Sequence, residues 1–241
     1  MLQLPRKVHP SPSTPRARGE SRWPAATTIV VAIALQITLP EDLVPPLQWL
    51  LPGLGSRWLL PGLELGALLV LIVLCPSRVD RESRTLRTTS LTLTVLLSLV
   101  NGWSAMWLVL RLMGLIHEGR AEADAGSLLL GTGASIWLTN IIAFGLWYWQ
   151  FDRGGPAARA HARKVVPDFQ FVQMQNPKAA DQDWRPEFID YLYLSFTNAT
   201  AFSPTDVMPL SRWAKLTMLA QSLISLITMA LVIARAVNIL K

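Results

Sequence analysis

The chain has 241 residues, 51% of them apolar, and a formal net charge of +6. Its apolar residues gather into blocks near the length of about 20 that a helix needs to cross a bilayer, which leaves room for one membrane domain and little soluble mass. A single cysteine, Cys75, excludes an internal disulfide or a cysteine zinc cluster, and His9, His117 and His161 fall in three separate polar segments, so no metal or other cofactor is expected.

Residues 1–24 form a basic tail rich in Pro, Ser and Arg, and the scarcity of apolar residues predicts disorder there. The first apolar run is followed by Pro40-Glu41-Asp42 with no small-residue cleavage pattern, so residues 25–39 read as an uncleaved first span rather than a signal peptide. Residues 43–54 are broken by Pro45, Pro46 and Pro52 and read as an interfacial segment, with Trp49 and Trp58 at headgroup depth. The second span covers residues 59–75, where Gly62 and Gly66 make a GxxxG pair suited to close helix approach. The third, 88–116, is long enough to tilt. The fourth, 127–151, closes on an aromatic belt of Trp147, Tyr148 and Trp149.

Residues 152–187 are the longest polar stretch and form a loop that is basic at first. Its later part holds Phe169, Phe171 and Met174, expected to graze the membrane surface. Residues 188–202 and 213–240 complete an all-α, multi-pass transmembrane helix bundle of about six spans within residues 25–241. Lys and Arg are rich in the tail, in residues 76–87 and in the 152–187 loop, and poor near Glu41 and Glu118. This alternation predicts a cell-membrane protein with both termini cytoplasmic. A five-span path, with 188–202 as a re-entrant half-helix, stays open. The basic loops imply contact with the lipid bilayer rather than with nucleic acid.

The stretch from Asp190 to Ile239 holds the most informative pattern. A short half-polar helix, a polar turn and a long apolar helix follow one another, which is the layout of a channel pore hairpin. Thr197, Asn198, Thr200, Ser203, Thr205 and Asp206 are the candidate lining residues, because polar side chains at such positions face a bundle interior or water. Tyr193, Ser195, Phe196, Thr197, Asp206, Val237 and Asn238 match the pattern of a family of uncharacterised bacterial integral membrane proteins, which the last quarter of the chain resembles. That resemblance implies a membrane location and no established activity. The run Thr200-Ala201-Phe202-Ser203-Pro204-Thr205-Asp206 also distantly resembles a potassium-channel pore loop. It has the Thr and the Asp but no glycine to turn backbone carbonyls toward an ion, and it is one residue longer, so potassium selectivity by that route is not implied.

Gln36, Glu64, Asn101, Arg111, Asn140, Gln221 and Arg235 are polar residues inside apolar spans. Glu64 and Arg111 fall at comparable depth on consecutive spans, so an intramembrane ion pair is expected between them. No GxSxG, HExxH or CxxC motif is present, and an enzyme is not expected. Two functional readings follow. One is a structural or partner-binding helix bundle; the other is a channel-like or transporter protein conducting ions through the polar hairpin. A homo-oligomer fits either.

Overall fold

The computed structural model describes residues 19–46, 56–74, 78–79, 83–115, 125–161, 166–176, 184–201 and 206–239. Residues 1–18 of the tail, Trp49, Cys75, and the hairpin residues Ser203 and Thr205 lie outside them. The chain begins with β1 (Glu20–Ser21) and α1 (Trp23–Ile37), followed by α2 (Ser56–Leu74), β2 (Arg78–Val79), α3 (Arg84–Leu112) and α4 (Ala125–Phe151). A 3-10 turn (Asp152–Gly154) and the short α5 (Pro156–Ala160) lead to β3 (Phe169–Phe171) and α6 (Val172–Gln175). The chain then runs through α7 (Phe188–Ala201), β4 (Val207–Pro209) and α8 (Arg212–Ile239). Among the described residues three helical stretches, Arg84–Leu112, Leu128–Gly154 and Arg212–Val237, are long and apolar enough to cross a membrane, and Trp23–Ile37 and Trp58–Leu74 are shorter apolar helices.

Local chemistry explains the helix bounds. Pro24 sits in the first turn of α1, where no intrahelical N–H is needed. Ala25, Ala26, Ile29, Ala32, Ile33 and Gln36 recur every three or four residues and form its buried face. Helix α3 starts a turn before the apolar run does. Arg84 and Arg87 are good helix formers, and the Arg87 N–H already donates to the Ser83 carbonyl at 3.0 Å. It stops near Gly114, whose φ of 72° is the left-handed conformation that ends helices.

Helix α4 is the hub, packing against α1, α3, α7 and α8. The close approaches are made by glycines other than the expected pair. A methyl group on Gly133 would meet Val232 of α8 at 2.6 Å, and one on Gly145 would lie 3.3 Å from the Leu192 backbone of α7. A methyl group on Gly62 or Gly66 would have nothing within 4 Å among the described residues, so the expected GxxxG pair makes no close helix approach among them. The expected aromatic belt is also turned inward. Tyr148 and Trp149 are buried, and the Trp147 indole donates to Ser98 Oγ at 2.8 Å. Phe169 and Phe171 are likewise core residues rather than surface ones.

The bundle has two ends. At the first lie the start of α1, the end of α2, the start of α3 and the end of α4. There β1 pairs antiparallel with β2, and the Arg22 guanidinium donates to the Leu71 carbonyl in the last turns of α2. At the second, Leu39, Leu43, Leu108, Ile136 and Val232 cluster. Helices α1 to α4 therefore alternate in direction. The last two helices do not. One ring, Phe169, touches both Tyr191 in the first turn of α7 (6.4 Å) and Trp213 at the start of α8 (5.5 Å). Both helices leave the first end and run side by side in the same direction. Between them the chain returns as β4, paired antiparallel with β3 at that end. This corrects the expected out-and-back pair: a path in which 188–202 crosses outward and 213–240 returns requires α7 and α8 to be antiparallel. The physical reason is the β3–β4 pairing together with the Trp213 indole, which donates to Asp168 Oδ1 at 3.0 Å and ties α8 to the loop beside α4.

Candidate functional site

The candidate hairpin residues divide by face. Asn198 is buried where α7 meets α8. Its amide donates to Gln221 Oε1 at 2.9 Å and to the Met218 carbonyl at 3.0 Å, and Ser222 Oγ donates to its Oδ1 at 3.2 Å. Gln221 extends the network. It donates to Ser195 Oγ (2.6 Å) and to the Ser195 carbonyl (3.0 Å), and its Oε1 also accepts from the Tyr148 hydroxyl (2.7 Å). Ser195 donates onward to the Ile141 carbonyl at 2.6 Å. Three helices are thus joined by a saturated polar cluster.

Thr197 and Thr200 do not join it. Their hydroxyls donate to carbonyls three and four residues earlier in α7, and Thr200 is exposed. Asp206 is exposed just before β4, and Ser203 and Thr205 lie outside the described residues. Helix α7 has 14 residues, about 21 Å of helix, and Phe196 meets Trp137 near the middle of α4 at 6.1 Å. The C-terminal end of α7 therefore lies inside the bundle, beyond the level of Trp137 in α4. A helix C-terminus carries about half a negative charge, which favours a cation there.

The Glu64–Arg111 pair is not formed. Arg111 Nη1 donates instead to Asp42 Oδ2 at 2.5 Å. A 3-10 turn, Glu41–Leu43, folds over α3 and is held by Ser104 Oγ donating to the Leu43 carbonyl at 2.9 Å, which brings the Asp42 carboxylate to the guanidinium. Glu64 turns to the α1 side of its helix and is fully buried beside Gln36. Neither side chain makes a hydrogen bond of normal geometry among the described residues.

A second polar cluster, which sequence reading missed, fixes where the hairpin starts. Asp152, fully buried after α4, accepts the Asp168 N–H (2.8 Å) and the Phe169 N–H (3.2 Å) on one oxygen and the Tyr191 hydroxyl (2.6 Å) on the other. Asp168 Oδ2 in turn accepts the Arg153 N–H at 3.0 Å, where Arg153 has a φ of 52°. Arg159 donates Nε and Nη2 to Glu20 Oε1 at 3.0 and 2.8 Å, and Nη1 to the carbonyls of Trp149 and Asp152. Its guanidinium lies 5.0 Å from the Tyr191 ring centre, and the Trp149 indole donates to Glu20 Oε2 at 2.6 Å. The tail residue Glu20 is thereby clamped to the loop after α4. The only sequence signal was the coincidence of lone carboxylates with the Gly154-Gly155 helix stop, and pairing across more than a hundred residues is not readable from spacing.

Burial lifts the Glu20 carboxyl above its ordinary pKa, with the Arg159 guanidinium and the Trp149 indole pulling the other way. A carboxyl raised in the folded state contributes stability that is complete below its unfolded pKa and is lost as pH rises through the folded value. The wild-type melting temperature is therefore expected to fall across that window, and Glu20→Gln to flatten the slope. Parallel pH profiles for the two proteins in detergent would refute the assignment.

Among the described residues no three His, Cys, Asp or Glu side chains come together as a metal site. No family model, curated protein or solved structure matches the chain.

Proposed function

We propose that this chain is a channel-like integral membrane protein, with α7 a re-entrant half-helix and α1 to α4 and α8 the five spans. The observation that carries the reading is the common starting end of α7 and α8, with the extended return of β4 between them. Backbone that turns back at membrane depth is tolerated only where protein buries it or where it lines a water-filled cavity. The half-helix aims its negative end into the bundle, and that favours cations over anions. Thr197 and Thr200, on the side of α7 away from the saturated cluster, are the lining this reading requires; Ser203 and Thr205 of the same candidate set lie outside the described residues. An assembly of several copies would surround the path. The absence of glycine in the return argues for a weakly selective pore rather than a potassium filter.

A second reading, a structural or partner-binding bundle, has its own support. The Asn198–Gln221 cluster satisfies its hydrogen bonds within one chain and needs no pore to explain it.

The test is cation flux into liposomes holding the purified protein, with protease protection of tags on both termini. The expected result is flux above empty liposomes that falls when Thr197 and Thr200 are both replaced by Leu, with the two tags on opposite faces. Tags on the same face would overturn the five-span path. Flux no greater than in empty liposomes from correctly inserted protein would overturn the pore and leave the structural reading.

A further inference from the structure

We infer that a groove at the first end of the bundle, between α1, α2, α3 and the α4–α5 turn, binds an anionic phospholipid. The groove is open to solvent, and about 840 Å³ of non-protein space, open solvent included, lies in and before it. Its lining is divided by chemistry. Arg22, Ser83, Arg87 and Ser90 supply two guanidinium groups and two hydroxyls. Ala26, Ile29, Leu68 and Leu71 supply an apolar floor deeper along α1 and α2. The Arg22 guanidinium is fixed in the wall by its bond to the Leu71 carbonyl, while Arg87 is exposed in the first turn of α3.

This segregation fits one class of occupant. A phosphate diester pairs with guanidinium groups through charge-assisted hydrogen bonds, and an acyl chain covers the aliphatic floor. A zwitterionic lipid brings its own cation to the two arginines and is disfavoured. A soluble anion gains nothing from the floor. The groove lies at the start of apolar helices, the depth at which a lipid headgroup meets its chains. The inference depends on a membrane location and not on the pore, so loss of lipid preference and loss of flux are separate results.

The experiment is native mass spectrometry of the full chain in detergent, titrated with phosphatidylglycerol and with phosphatidylcholine. The expected result is a clear preference for phosphatidylglycerol. Arg87→Gln should lower that affinity about fivefold and leave phosphatidylcholine unchanged. Arg87→Glu, at the same exposed position, should abolish the preference. Leu86→Trp, on the groove wall, should weaken both lipids by obstructing the chain site. Melting temperatures near wild type certify the folding of each variant. Equal retention of the two lipids, or an unchanged affinity in Arg87→Gln, would overturn the proposal. Displacement of the lipid by inorganic phosphate alone would also overturn it and mark a simple anion site.

Discussion

Replacing Asp152 by Ala is expected to lower the stability of the detergent-solubilised protein by about 3–5 kcal/mol, the range for breaking one side of a buried charged cluster. The carboxylate is fully buried and accepts from two backbone amides and one hydroxyl. Removing it leaves all three donors without that acceptor, each at a cost of about 1–3 kcal/mol if no water enters. It also removes a negative charge 3.7 Å from Arg153 Nε. At a few degrees per kcal/mol in a chain of this size, the melting temperature should fall by about 10 °C. The same oxygens hold Phe169 and Tyr191, so the start of α7 should loosen before the rest of the bundle, visible as early loss of amide-exchange protection in residues 188–194. Asp152→Asn keeps an acceptor and should lose less. A melting shift under about 2 °C for the alanine variant would show that α7 and β3 are anchored by something else.

Gln221→Leu should come next in size. Gln221 takes part in four hydrogen bonds that join α4, α7 and α8, and its side chain is fully buried. Leu is close in volume, so the change isolates the polar loss. The Tyr148 hydroxyl loses its acceptor, and the Asn198 amide NH2 is left with the Met218 carbonyl as its one acceptor, while its Oδ1 still accepts from Ser222. Interhelical hydrogen bonds in membranes average about 0.6 kcal/mol each, so a loss of about 2 kcal/mol is expected. Replacing both Thr197 and Thr200 by Leu should change stability by less than about 0.5 kcal/mol, because their hydroxyls serve only their own helix. The comparison separates packing from pore lining within one short helix. Equal destabilisation by the two sets would contradict the division of faces.

Much of the secondary structure was legible because its cause is local. A run of apolar residues ended by Pro, Gly or charge makes a helix whatever its neighbours are. The expected segments 25–39, 127–151 and 188–202 thus lie within two residues of Trp23–Ile37, Ala125–Phe151 and Phe188–Ala201. The largest slip was at α3, displaced toward its N-terminus because hydropathy marks where a helix is apolar, not where its hydrogen bonds begin. Asn198 and Gln221 stood out as polar residues in apolar runs, but periodicity could not say which of Thr197, Asn198 and Thr200 faced α8.

The sequence by itself determined that apolar helices form, roughly where each begins and ends, and that buried polar groups must find partners. It could not determine the partners, because a carboxylate satisfies a guanidinium from any distance along the chain. Arg111 therefore meets Asp42 instead of Glu64, and Arg159 meets Glu20. Nor could it determine the direction of α7 against α8. Five residues between helix and strand permit either a continuation or a return, and a charge count along the chain favoured the wrong one. The return was decided by tertiary structure: β3 offered β4 an edge to pair with, Asp168 offered Trp213 an acceptor, and both lie at the end from which α7 starts.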